Sequence, residues 1–223
     1  MPVPKQPAVL VRENTRDKIL NQLYAWLIDG TLKPGERLHD EELSAYFNVS
    51  RTPVREALQV LNQKQLVEVL PSRMTRVAPI TIEEAERTFP LYAELQSIAV
   101  KFAYPHITNM SVQSLERLNT QLKEAFASHA SFSEIQRIDK DFHQTIIELA
   151  DNKYLSNMID ELEIHIYRAE NHFFAYKERS MNSVIDHQRI IDALKEHDLE
   201  TAVQITYQNW MLNYKGLLKA VEQ

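Results

Sequence analysis

The segment Val49–Leu58, with the sequence VSRTPVREAL, constrains the fold of this chain more than any other stretch. Ser50 is a residue type that caps helices, and Pro53 suits a first helical turn, where its missing N–H would have no helical partner. Apolar side chains recur at helical spacing and form one face of this helix: Val54, Ala57, Leu58 and Leu61. The segment therefore predicts a short helix with a buried back.

Polar side chains occupy the opposite face of the same predicted helix: Arg51, Thr52, Arg55, Gln59 and Asn62. Guanidinium, hydroxyl and amide groups are those with which a helix reads base edges and holds phosphates in a DNA major groove. An ordinary solvated helix face has the same polar character. The segment alone therefore leaves DNA binding and simple solvation equally open, and its neighbours must separate them.

The segments around this helix favour DNA binding. Periodic apolar residues predict a first helix from Asn14 to Ile28, ended by Gly30, and a second helix that begins near Asp40. The apolar side of the second helix is expected to consist of Leu43, Tyr46 and Phe47. A tight turn then leads into the VSRTPVREAL helix, so the two short helices form a helix-turn-helix.

Two short β-branched runs follow, at residues 66–70 and 75–78, and predict a hairpin. Arg73 and Arg76 lie at or near its tip, where a basic wing can contact phosphates or a minor groove. Residues 12–78 are therefore expected to form a winged helix-turn-helix domain, preceded by a flexible proline-rich arm at residues 1–11.

Composition and charge agree with a two-part organisation. Residues 1–80 contain 11 Lys and Arg against 9 Asp and Glu, a net charge of +2, whereas residues 81–223 have a net charge of −8. Only the N-terminal third therefore tolerates a polyanion. The chain has no cysteine, which excludes disulfides and thiolate metal sites. It also shows no apolar signal core and no membrane-spanning stretch, so we expect a cytoplasmic protein without a membrane partner.

After a linker at residues 79–80, residues 81–223 are predicted to form an all-α bundle of about six helices, which makes the protein mainly α. Thr81 with Glu84 and Ser131 with Glu134 have the spacing of capping boxes. Ser111 and Asp151 are expected to open two further helices. Pro90 is expected to break or kink the first helix of the bundle.

The bundle contains one set of residues with metal-ligand character. Asp139 and His143 are four residues apart and share one face of a helix. An antiparallel hairpin turning at residues 197–198 places His187 and Asn209 each roughly 15–17 Å from the turn, so that they can face one another. Spacing alone leaves a metal site and a surface carboxylate–imidazole pair open, and the surface pair is the commoner arrangement.

At this point the sequence resembles the GntR family of bacterial transcription regulators, in particular its FadR-like subfamily with a helical FCD effector domain. The resemblance covers nearly the whole chain. In the N-terminal part it rests on residues 30–38 (GTLKPGERL), 42–44 (ELS), 49–58 and Leu61. In the C-terminal part it rests on Asp139-x-x-Phe-His143, residues 150–152 (ADN), His187-x-x-Ile-x-x-Ala-Leu194 and Asp198-x-x-x-Ala202.

The resemblance implies a homodimeric regulator that binds double-stranded, pseudo-palindromic operator DNA and answers to a small metabolite. We expect it to act as a repressor. The recognition helix then enters the major groove, supported by the wing. The predicted DNA-binding residues are Ser50, Arg51, Thr52, Pro53, Arg55, Gln59, Arg73 and Arg76.

The resemblance also implies a metal and effector site. The family's metal ligands are an Asp, a His four residues later and two further His residues; three of them match Asp139, His143 and His187. The fourth position is Asn209, a weaker neutral ligand, so a divalent metal such as zinc or nickel is expected to bind less tightly.

Early in the effector domain the family often has an Arg and a Glu, and the Arg binds an organic acid. This chain has Tyr92 and Gln96 at those positions. Arg168 is the alternative source of positive charge for an organic acid. The predicted effector-binding residues are therefore Tyr92, Gln96 and Arg168.

Two other functions remain open at this point. In the first, the chain is a metal-sensing regulator and the ion itself is the effector. In the second, the chain is a helical metalloenzyme with three protein ligands and an open position on the metal. The enzyme is disfavoured because the sequence places no further acid–base residue and the helix-turn-helix would have no role.

Overall fold

The computed structural model describes residues 15–71, 74–173 and 181–221. The predicted arm at residues 1–11 and the wing residue Arg73 lie outside the described residues. Contacts divide the chain into two compact units. Of the described residues, the first unit contains those up to Leu27 and those from 31 to 79, and the second contains residues 28–30 and those from 80 onwards.

The first unit is a winged helix-turn-helix, as the sequence predicts. Its elements are α1 (Thr15–Ile28), β1 (Arg37–Leu38), α2 (Asp40–Phe47), α3 (Arg51–Gln63), β2 (Val67–Val69) and β3 (Thr75–Val77). The strands form an antiparallel sheet in the order β1-β3-β2. The strand β1 extends the predicted hairpin by a third strand.

The orientation of α3 is fixed by the burial of one of its faces. Val54, Ala57 and Leu61 are each 0% exposed, which confirms the predicted apolar back. Gly30 has a φ of +78°, which suits its predicted place after the end of α1. The sequence places Tyr46 on the apolar side of α2, but this residue is 70% exposed in the structure, and its ring packs edge-on against that of Trp26.

The second unit is the predicted all-α bundle. Its helices in the described residues are α4 (Ile82–Ala103), α5 (Asn109–Ala127), α6 (Phe132–Leu149), α7 (Lys153–Phe173), α8 (Asn182–Lys195) and α9 (Leu199–Val221). A 3₁₀ turn at Tyr104–His106 follows α4. The helix α4 packs against α6, α7 and α9 and so lies at the centre of the bundle. None of the described helices is both long enough and apolar enough to cross a membrane.

Three local expectations in the bundle need correction. The expected break at Pro90 is wrong, because one helix continues through it. The buried neighbour Phe89 belongs to the main core, and this packing compensates for the helical hydrogen bond that proline cannot make. Asn152, not Asp151, caps α7: its side-chain oxygen accepts hydrogen bonds from two backbone amides of the first turn. The helix α5 begins at Asn109, two residues before the predicted start.

The fully buried Leu61 offers a test of the recognition-helix packing. Leu61→Ala should lower the free energy of unfolding by about 2–5 kcal/mol, because it removes buried methyl groups and leaves a cavity. Urea denaturation measures the loss, and hydrogen–deuterium exchange in α3 locates it. Asn62→Ala, on the exposed front of the same helix, is the matched control and should change stability by less than about 0.5 kcal/mol. Equal losses in both variants would contradict the assigned orientation of α3.

Candidate nucleic-acid interface and candidate metal centre

The first unit contains a concavity of about 910 Å³ beside the front of α3. Arg51, Arg55 and Gln59 line it from the helix. The hairpin contributes further lining residues, namely Val69, Met74 and Thr75. Three of the predicted DNA-binding residues are therefore brought together with the wing on one surface. Ser50 and Thr52 are exposed at the start of α3, beside this surface, and Pro53 is half-buried there.

Asp40, the first residue of α2, holds both arginines of this surface. Arg51 donates to it in a two-point arrangement, with Nη2–Oδ1 at 2.9 Å and Nε–Oδ2 at 3.2 Å. The remaining Arg51 nitrogen, Nη1, lies 2.7 Å from Oε1 of Glu41. Arg55 donates its Nε to Oδ2 of Asp40 at 2.5 Å. One carboxylate thus links the two guanidinium groups that the sequence predicts as operator contacts.

The pKa of Asp40 lies below its ordinary value. Partial burial raises this pKa, but hydrogen bonds from Arg55 and Arg51, together with their charges, outweigh it. The hydrogen bond to Asp40 in turn raises the pKa of Arg51. The pairs are solvent-accessible, with the Arg55 side chain 62% exposed, so water screens them and each contributes little to stability. Such pairs can be exchanged for contacts to nucleic acid at small cost.

The wing arginine Arg76 has a partner of its own. Its Nε lies 2.7 Å from Oε2 of Glu68, the residue opposite it on β2. Arg37 lies opposite Arg76 on the other neighbouring strand, β1, and also lines the concavity. Sequence reasoning missed both Arg37 and Asp40, because only the tertiary contacts bring these residues to the recognition surface.

The second unit brings together three of the four predicted metal ligands. Nε2 of His187 lies 3.2 Å from Nε2 of His143 and 3.7 Å from Oδ1 of Asp139. The ligand atoms of all three residues lie within 4.8 Å of one another. The three residues are at most 3% exposed, which rules out the surface carboxylate–imidazole pair.

This donor set fits a divalent ion. Metal–nitrogen bonds of about 2.0–2.1 Å in a tetrahedral site place neighbouring donor atoms roughly 3.3 Å apart, close to the separations found. Phe142 stacks on the His187 ring, with centroids 3.8 Å apart and planes 5° apart, and so orients that imidazole. Asn209 is 3% exposed on α9 and precedes Trp210, whose ring lies 4.8 Å from that of His143.

Tyr92 and Gln96 are buried one turn apart on α4, close to this centre. Burial raises the pKa of Tyr92 far above its ordinary value, and the negative charges of Glu163, Glu170 and Asp139 add to the rise, against a hydrogen bond with Gln96. The surroundings are therefore acidic, which favours a cation.

One buried donor near this centre, Nε1 of Trp210, lacks a hydrogen-bond partner among the described residues. The Trp210 ring packs edge-on against Tyr92, with centroids 4.7 Å apart. A buried donor without a partner costs free energy, so this N–H invites an acceptor from a ligand.

Arg168 is buried, with 2% of its surface exposed, and the charge that acts on it is that of Glu84. Burial lowers its pKa, while the charge of Glu84 on the first turn of α4 raises it. Glu84 also lies 2.6 Å from Nδ1 of His165. The structure thus brings Tyr92 and Gln96 together and gives Arg168 a separate electrostatic partner in Glu84.

Comparisons with known families agree with both units. The family described as "FCD domain" matches residues 88–209, more than half of the chain. The family described as "Bacterial regulatory proteins, gntR family" matches residues 15–77. The chain belongs to the GntR family and carries an FCD domain.

Individual relatives are regulators as well. An HTH-type transcriptional regulator of Bacillus subtilis, YdhC, is 26% identical over 82% of each chain. The gluconate operon transcriptional repressor of the same organism is 23% identical over 90% of this chain and 84% of its own. The solved structure of E. coli McbR/YncC has a TM-score of 0.80 at 23% identity and covers 93% of this chain and 99% of its own.

These findings distinguish a DNA-binding regulator from a metalloenzyme, the two classes of function that the sequence left open. Members and relatives of the family are transcription regulators, and this confirms the expectation of a DNA-binding regulator over a metalloenzyme. The candidate metal centre therefore belongs to a regulatory domain.

The Asp40 carboxyl offers a direct test of the arginine contacts. Its NMR titration midpoint should lie below its ordinary pKa of 3.8, and Arg55→Ala and Arg51→Ala should each raise it. Because the folded pKa is the lower one, the small stabilisation by Asp40 is present above the unfolded pKa and is lost as the pH falls through the folded one. Arg76→Ala, whose partner is Glu68, should leave the midpoint unchanged. A midpoint that stays the same in both of the other variants would refute the contacts.

Proposed function

We propose that the protein is a repressor that binds a pseudo-palindromic operator as a homodimer and responds to a small molecule in its helical unit. The observation that carries the proposal is the exposed surface on which Arg51, Arg55 and Gln59 share a concavity with the wing. The similarity to the gluconate operon transcriptional repressor of Bacillus subtilis supports repression rather than activation.

In this proposal α3 of each protomer enters the major groove of one half-site. Arg–guanine contacts supply roughly 1–3 kcal/mol of discrimination each, and Gln59 has the amide that suits adenine. Ser50, Thr52 and Pro53 lie at the helix start against the phosphate backbone. Arg73 and Arg76 of the wing add phosphate contacts, although Arg76 must share its charge with Glu68.

The helical unit would hold a divalent metal, zinc or nickel, on Asp139, His143 and His187, with Asn209 as a weak fourth ligand. The buried donor set and its acidic surroundings support this role. A bound ion supplies positive charge for an effector such as an organic acid. Tyr92 and Gln96 would then bind the effector's polar groups, and Arg168 would add positive charge from α7.

Regulation follows from coupling between the two binding events. An effector that binds more tightly to the protein off the operator than on it lowers operator affinity by that difference, typically about 1–3 kcal/mol. The same donor set also supports the alternative in which the metal is itself the effector, because its ligand atoms already lie at metal-binding separations.

The recognition-helix assignment predicts the effect of one substitution. Arg55→Ala should weaken specific operator binding by roughly 1–3 kcal/mol, the scale of one bidentate base contact, with helicity and dimer formation unchanged, because it removes an exposed guanidinium and no core contact. Electrophoretic mobility shifts, with a duplex selected from a random-sequence library by the unaltered protein, measure the loss. Arg87→Ala, an exposed arginine on α4, is the matched control and should bind normally. An unchanged specific affinity in Arg55→Ala would refute the assignment.

The metal assignment predicts a loss of bound metal. His143→Ala should lower the zinc or nickel content per protomer, measured by elemental analysis after dialysis against the metal, because it removes one of three preset donors. His106→Ala, an exposed histidine after α4, is the control and should retain the content of the unaltered protein. Unchanged metal content in His143→Ala would remove the site.

The same proteins separate the two kinds of effector. Operator affinity is titrated against the metal alone and against the metal with an organic acid. A response to the metal alone, abolished in His143→Ala, indicates a metal sensor. A response that needs the organic acid indicates a metabolite-responsive repressor.

A further inference from the structure

Arg51 and Arg55 both donate hydrogen bonds to the Asp40 carboxylate, but they use different sets of nitrogen atoms. Arg51 uses all three of its guanidinium nitrogens: Nε and Nη2 bind Asp40, and Nη1 binds Glu41. Arg55 binds Asp40 through Nε. Among the described residues, its Nη1 and Nη2 make no hydrogen bond. The two side chains are therefore not equivalent, although they look alike in the sequence.

This difference matters for reading a base. Arginine recognises guanine with two N–H donors in a fixed planar fork, which bind O6 and N7 together. Arg55 retains such a fork at its Nη edge while its Nε is held. In Arg51, by contrast, Nη1 and Nη2 each keep one free N–H, because Asp40 and Glu41 take three of its five N–H groups.

Resting on the proposed function, we propose that Asp40 is a positioning residue for operator recognition: it holds Arg55 through Nε and so presents the Nη fork to one base pair. Arg51 then anchors the Asp40 carboxylate. Holding a long side chain in one geometry before binding removes part of the ordering cost of the complex. Asp40 thus supports specificity although it is itself repelled by DNA.

The first turn of α2 contains a matched set of carboxylates that can test this role. Asp40 contacts both arginines, and Glu41 contacts Arg51. Glu42 is exposed and contacts neither arginine in the described part of the chain. Neutralising each one removes a single negative charge from the same turn. Simple electrostatics predicts the same modest gain of DNA affinity for all three, whereas positioning predicts a loss of specificity at Asp40 alone.

The experiment measures specific and non-specific affinity of the full chain. The variants are Asp40→Asn, Glu41→Gln and Glu42→Gln; the probes are a duplex selected from a random library by the unaltered protein and a scrambled duplex of the same length. Asp40→Asn should lower the specific-to-non-specific ratio about tenfold, the scale of one lost bidentate base contact. Glu42→Gln should leave the ratio unchanged, and Glu41→Gln should change it less than threefold.

A double-mutant cycle distinguishes the loss of one shared base contact from a general destabilisation of the fold. Combined with Arg55→Ala, Asp40→Asn should cause no further loss, since both remove the same base contact. Base substitutions in the selected duplex should show that Asp40→Asn and Arg55→Ala relax preference at the same base pair, and Asp40→Glu should restore much of it.

Two outcomes overturn the positioning role. One is an equal rise of specific and non-specific affinity in Asp40→Asn and Glu42→Gln, which would make Asp40 only a repulsive charge. The other is a fully additive loss in the double variant. Failure of the proposed function looks different, because the unaltered protein would then select no sequence from the library.

Discussion

Burial of the apolar back of α3 is the interaction on which the candidate DNA-binding surface depends. Val54, Ala57 and Leu61 are completely buried, so the helix cannot rotate without exposing them to water. With the back fixed, the polar front must face outward. The concavity beside this front, with Arg51 and Arg55 among its lining residues, is therefore a consequence of core packing in the first unit.

In the helical unit the important buried groups are polar, whereas in the first unit they are the apolar side chains of α3. Asp139, His143 and His187 are buried, and burying such groups is costly unless they are paired or bind a metal. Structural stability alone would favour apolar residues at these positions. Their close approach, with Phe142 stacked on His187, is the arrangement of a site kept for binding, and the acidic surroundings of Tyr92 fit a cation there.

Much of the fold could be predicted from local patterns, and the misses have physical reasons. Periodicity placed α3 correctly, because its apolar stripe is nearly ideal. The rule that proline breaks helices failed at Pro90, where packing in the bundle core outweighs one missing hydrogen bond. Periodicity also cannot distinguish a buried ring from one that packs at the surface, as Tyr46 does against Trp26. The family resemblance supplied what spacing left open, namely that His187 joins Asp139 and His143.

The sequence by itself determined the two units, the polar front of α3 and the pairing of Asp139 with His143, because each depends on residues close together in the chain. Only the tertiary structure decided which distant groups meet. Asp40 lies 11 residues from Arg51 and 15 from Arg55, and His143 lies 44 residues from His187. Contacts between charges and between imidazoles fall off steeply with distance, so they exist only once burial of apolar faces has fixed the helices.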